Sequence, residues 1–143
     1  MHRTLTLALS FTAVIGLALA ADAPAERPPE PRNVNIVGAC TSPNPQVTPA
    51  RITVNGVDNV LWRDPSGQAE SFTITPKTPG AWPFAGPNPS ANRGQAANSG
   101  RPQGQTRGGG AVQPGQVYSY NVVIECPGDV TQVIDPDIVI GEM

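Results

Sequence analysis

The chain opens on one continuous apolar run and then changes to short alternating segments broken by turns. Leu5 to Leu19 is almost wholly apolar or small, follows His2 and Arg3, and ends in Ala18-Leu19-Ala20. A basic start, an apolar stretch and a small-x-small ending read as a secretory signal peptide over residues 1–20, cleaved after Ala20. The run is shorter than the ~20 residues a spanning helix needs, so no membrane span is expected after cleavage. No cysteine stands at the cleavage point to accept a lipid. Residues 21–32 are rich in proline, alanine and charge with no periodic apolar face, which predicts an extended tether.

From there the pattern takes the period of two that marks half-buried strands. Asn33 to Cys40 alternates polar and apolar positions until Pro43, Pro45 and Pro49 break it. Arg51-Ile52-Thr53-Val54 is a short strand, and Asn55-Gly56, a dipeptide suited to positive φ, predicts a hairpin with Val57 to Trp62 as partner. Asp64-Pro65-Ser66-Gly67 is a second turn, and Glu70 to Thr75 alternates with Phe72 and Ile74 on one face. The pattern then stops. Residues 76–115 are dominated by Pro, Gly, Asn, Gln and Ser, and only Ala81-Trp82-Pro83-Phe84-Ala85 offers bulk to bury. A segment of that length without a period predicts a low-complexity loop that is functional or disordered. Val117 to Cys126 is the strongest strand, dense in β-branched and aromatic residues. After Pro127-Gly128-Asp129 come two more, Val130 to Ile134 and Asp137 to Ile140. With no helical period after the signal peptide, the expected fold is all-β: a small Greek-key β-sandwich over residues 33–143, with one long irregular loop.

Composition changes this picture in two places. Seventeen prolines and fifteen glycines in 143 residues approach the level of low complexity, so part of the chain is expected not to pack. Cys40 and Cys126 in an exported chain predict one disulfide closing almost the whole domain. A reactive or metal-binding thiol is the other reading, although neither cysteine has a nearby His and no C-x-x-C spacing exists. The net charge is −2, too acidic for a global nucleic-acid-binding surface.

The order of certain segments resembles a family. Val60-Leu61-Trp62, a turn, Glu70-Ser71-Phe72-Thr73-Ile74, a variable loop, Pro114-Gly115-Gln116-Val117-Tyr118-Ser119-Tyr120 and Cys126-Pro127-Gly128-Asp129 before a last Val/Ile strand are similar to a cupredoxin. The resemblance implies a cupredoxin-like sandwich, which in that family holds copper through two His, a Cys and a Met. This chain departs from the pattern at the ligands. Glu70 stands where the first His would fall and Asp129 in the C-x-x-H loop, and no Met lies between Cys126 and the last strand. The sole histidine, His2, is in the signal peptide. Type 1 copper needs two imidazoles and a thiolate, so the expectation is the fold without the copper, and no cofactor.

Other chemistry is equally short of residues. Asp129, Asp135, Asp137 and Glu142 lack the spacing of a calcium loop, and Asp135-Pro136-Asp137 reads more simply as a turn. Without a histidine or a G-x-S-x-G elbow no Ser–His pair forms, and Gly108-Gly109-Gly110 has no following Lys-Ser/Thr for a phosphate loop. No catalytic and no metal residue is assigned. The loop remains: Lys77, Arg93, Arg101 and Arg107 make it locally basic on an acidic domain. Such a loop either collapses onto the domain or docks on an anionic polymer, unless it is a solvated insertion. Trp82 and Phe84 read as a plug pinning the loop to the sandwich or, less simply, as a stacking platform. The expectation is an exported, periplasmic or secreted, non-catalytic binding or structural module. An anionic envelope polymer or another envelope protein is its candidate partner; the alternative is a metal-handling or redox protein using Cys126.

Overall fold

The computed structural model describes residues 27–143; the expected signal peptide and residues 21–26 of the expected tether lie outside them. Ten strands form within that range: β1 (Pro31–Val37), β2 (Gln46–Thr48), β3 (Arg51–Val54), β4 (Asn59–Arg63), β5 (Ser71–Pro76), β6 (Ser90–Asn92), β7 (Ala96–Asn98), β8 (Val117–Cys126), β9 (Val130–Ile134) and β10 (Asp137–Ile140). They make two sheets, and the chain is an all-β sandwich. One sheet has the order β2-β1-β4-β7; the other runs β3-β10-β8-β5-β6, with β9 beside the second half of β8.

Alternation within β8 sets the second sheet. Tyr118, Tyr120, Val122, Ile124 and Cys126 are buried and the positions between them face outward. At ten residues β8 is long enough to pair antiparallel with β5 on one side and with β10 and then β9 on the other. Facing it, Val34 and Ile36 of β1 and Val60 and Trp62 of β4 are buried to within 1% of complete. Each such side chain contributes about 1.5–3 kcal/mol by leaving water. The Trp62 indole Nε1 donates to the Tyr120 hydroxyl at 3.1 Å, joining the two sheets through the core.

The hairpin expected at Arg51 to Trp62 does not form. β3 pairs parallel with β10, whereas β4 pairs parallel with β1 in the opposite sheet. Asn55-Gly56 carries the chain between sheets: the Gly56 N–H donates to the Glu142 carbonyl at 2.7 Å, and Asp58 turns inward. Period two aims Ile52, Val54, Val60 and Trp62 at the core under either pairing, so alternation alone does not name the partner. The first strand also differs at both ends. It begins at Pro31, inside the expected tether, and stops at Val37 because Gly38 and Cys40 take φ of 75° and 58°.

Asp58 explains why the tether is ordered this far forward. Its carboxylate is fully buried and receives the guanidinium groups of Arg27 and of Arg32, the latter at 3.1 Å, with the Asn55 N–H at 3.2 Å. Burial pushes the carboxyl up, and the donors from Arg27, Asn55 and Arg32 together outweigh it, so the group sits below its ordinary 3.8. A lowered carboxyl stabilises the fold above that ordinary value, and the contribution fades as pH falls through the lower folded-state one. Arg27 and Met143 border the same recess beside Asn55, Gly56 and Val57, at the end where β4 begins.

Residues 76–115 form the expected long irregular loop, and they are ordered rather than structureless. They include a 3₁₀ turn (Pro79–Ala81), β6, β7 and two isolated bridges, Phe84 with Pro102 and Gln105 with Ala111. Backbone hydrogen bonds replace the missing side-chain period: Gln103 N–H to Pro83, Arg107 N–H to Trp82 and Gly108 N–H to Gly80, at 2.7, 3.0 and 2.7 Å. A Cβ on Gly108 would lie 2.7 Å from the Gly80 oxygen, so this close approach requires glycine.

Cys40 and Cys126 form the expected disulfide, linking the loop after β1 to the end of β8 across a sequence separation of 86. Gln132 of β9 secures the same corner, accepting from the Cys40 N–H and donating to the Ser42 carbonyl, both at 2.8 Å. Closing a loop of that size is worth about 4 kcal/mol in the chain-entropy model. Urea unfolding with and without reductant should therefore show a loss of that order on reduction; an unchanged midpoint would mean that the bridge restrains nothing.

Candidate functional site

The basic loop is the first place to look, and its cations do not gather. Lys77 pairs with Asp135, and its N–H donates to the Ser119 carbonyl at 3.1 Å. Arg93 lies 4.0 Å from the Glu70 carboxylate and donates through Nε to the Ala69 carbonyl at 3.4 Å. Arg107 turns back on the loop, donating from Nε to the Phe84 carbonyl at 3.4 Å and from Nη1 to Asn88 at 2.7 Å. Arg101 is exposed and makes no ion pair among the described residues. Of the outcomes open for the loop, collapse onto the domain is the one seen.

Trp82 and Phe84 are the plug that holds it there. Both are 1% exposed, with ring centroids 5.2 Å apart edge to face, and Trp82 stands 6.0 Å from Tyr120. A stacking platform needs an exposed ring face, which neither offers. The Trp82 Nε1–H is buried with no hydrogen-bond partner among the described residues.

The positions that the resemblance makes equivalent to copper ligands do not fit that ion. The Cys126 sulfur is bonded to Cys40, Glu70 is exposed beside Arg93, and Asp129 is exposed in a turn at φ 59°. Among the described residues no three His, Cys, Asp or Glu side chains stand close enough to share a metal. Both cysteines are tied in the bridge, so no free thiol stands at Cys126 for the alternative metal-handling or redox reading.

What sequence reasoning missed is a groove at the far end of the first sheet. It has a volume of ≈ 590 Å³ and is bordered by Asn35, Arg63, Ser66, Gly67 and Gln95. Strand register builds it. Asn35 on β1, Arg63 on β4 and Ala96 on β7 are successive cross-strand partners, and all three are exposed on the outer face. Asp64 beside them is occupied internally, accepting from the Ser66 N–H, the Ser66 hydroxyl and the Ala69 N–H at 3.0, 2.6 and 2.9 Å. Arg63 makes no ion pair among the described residues. The alternating polar positions Asn33, Asn35 and Arg63 held the signal for an outward face, but not for which strands lie side by side.

No protein-family model matches the chain, and a search of curated proteins finds no relative. Among solved structures, pseudoazurin from Methylobacterium extorquens AM1 is similar at 13% identity, over 80% of this chain and 77% of that one, with a TM-score of 0.46. Pseudoazurin is a cupredoxin, the family that the motif order resembles. An overlap that low supports nothing about copper, substrate or partner.

Two measurements check this geometry. Trp82→Ala should lower stability by about 3–5 kcal/mol and Arg101→Ala by less than about 0.5 kcal/mol in urea unfolding; similar values for both would remove the plug. For Tyr120, burial pushes the hydroxyl up to about 12, the Trp62 donor opposing and the Asp137 charge adding to the rise. Burial likewise raises Tyr118 from its ordinary 10.0. A raised hydroxyl stabilises the fold below its unfolded value and loses that contribution as pH climbs through the folded one. Ultraviolet titration should show neither tyrosine ionising at its ordinary value and the fold weakening above it.

Proposed function

We propose that the protein is an exported, non-catalytic binding or structural module of the periplasm or extracellular space. Its scaffold resembles a cupredoxin without the copper, and its partner is an anionic polymer of the cell envelope. The observation that carries this reading is the Cys40–Cys126 disulfide. Disulfides persist in oxidising compartments, in keeping with the signal-peptide pattern at residues 1–20, and this one removes the single thiolate on which copper or thiol redox chemistry would depend. The loop cations support a scaffold as well, since Lys77, Arg93 and Arg107 bind within the chain itself. What is left for contact is an outward-facing polar surface.

Expression in a bacterial host tests the reading directly. Mass spectrometry of the periplasmic fraction should find a protein beginning at Ala21 with no titratable thiol, and added copper should give no stoichiometric visible absorption band. The same protein should be retained by an envelope fraction. Full-length protein confined to the cytoplasm, or one copper bound with an intense thiolate band, would overturn the proposal.

A further inference from the structure

The outer face of the first sheet has an unusual chemistry for a solvated β-surface. Exposed sheet faces commonly carry interspersed charges of both signs, which keep them soluble and unoccupied. Here the side chains exposed on it include Asn33, Asn35, Thr48, Arg63, Ala96 and Asn98, with Val37 and Gln46 exposed as a cross-strand pair beyond Asn35 and Pro31 at the other end. Register orders them in two rows, Thr48–Asn35–Arg63–Ala96 and Asn33–Leu61–Asn98. Asn98 is engaged, accepting from Asn59 and from the Gly100 N–H at 3.0 and 2.9 Å. The side-chain amides of Asn33, Asn35 and Gln95 make no hydrogen bond within the described residues, so their donors and acceptors are open to a ligand. One cation, Arg63, stands at the end of the face where the groove deepens.

We infer that this groove binds a carboxylate-bearing polysaccharide, with Arg63 taking the carboxylate and the amides of Asn35 and Gln95 hydrogen-bonding sugar hydroxyls. The inference deepens the proposed function and rests on it for the presence of such a polymer. Three features point to this ligand class. Amides both donate and accept, as hydroxyls do, and a row of them matches a hydroxyl-rich chain better than an apolar peptide. The planar guanidinium presents paired donors that suit a carboxylate and forms no ion pair among the described residues, the Asp64 carboxylate at the groove wall being turned to the N–H and hydroxyl donors of its own loop. A nucleic acid carries a phosphate at every step and needs a row of cations; one arginine on an acidic chain does not supply it. The groove, at ≈ 590 Å³, has room for a short stretch of sugar rings.

Binding of the purified protein to polygalacturonate, to neutral dextran and to a single-stranded oligonucleotide, followed by titration calorimetry, tests the inference. The expected result is binding to polygalacturonate alone. It should weaken at least about tenfold in Arg63→Gln, which keeps a polar side chain without the charge, and in Asn35→Asp, which sets an acid beside Arg63. Arg101→Gln, altering an exposed loop cation, should bind as the unaltered protein does. Thermal unfolding of all three should be unchanged, since these side chains are exposed. Equal affinity for dextran, tighter binding of the oligonucleotide, indifference to Arg63→Gln or loss in Arg101→Gln would each overturn it. Envelope retention that persists without polygalacturonate binding would sink this inference and leave the proposed function standing; loss of both would remove the two together.

Discussion

Trp62 and Tyr120 meet edge to face at 5.7 Å in the space between the sheets, with the indole N–H donating to the phenol oxygen. Trp62 belongs to the short sheet and Tyr120 to the long one, so their contact fixes how the sheets approach. Trp82 arrives from outside both sheets and packs on the same tyrosine. The six aromatic side chains among the described residues cannot cover a two-layer core of this extent, and four of them gather at one point. The irregular segment is part of that core rather than an addition to it. Excising it would strip Trp82 and Phe84 from the interior and expose a face of Tyr120.

Legibility followed period two and stopped where period two has nothing to say. β9 and β10 follow the Pro127-Gly128-Asp129 turn over the residues expected of them, and β8 spans the β-branched and aromatic run. Partner choice is a different kind of information. A turn dipeptide after β3 looks the same whether the chain doubles back or crosses the sandwich, and the deciding contacts come from Glu142 and Asp58, which are remote or buried. Residues 76–115 hid their order for another reason. It is held by main-chain hydrogen bonds and by the Gly80–Gly108 approach, and neither leaves a periodic trace in side-chain type.

The site was legible in the same uneven way. The cysteine pairing follows from there being two cysteines and no more, whereas the charges of the loop misled because a count of cations ignores what they face. Lys77 and Arg93 come to rest against Asp135 and Glu70. Arg63 carried no weight as one cation at a strand end, and becomes conspicuous only when β1 and β7 flank it. Electrostatics in this protein is a matter of which charges remain unmatched after folding. By that measure Arg101 and Arg107 in the loop and Arg63 on the outer sheet are left without an ion pair among the described residues, and Arg63 is the one that stands on the groove.

The recess shared by Arg27 and Met143 gives the sandwich a polarity. Both ends of the described chain emerge where β4 begins, and the groove opens where β4 ends. A molecule held by either terminus would therefore point its amide-lined face away from the point of attachment.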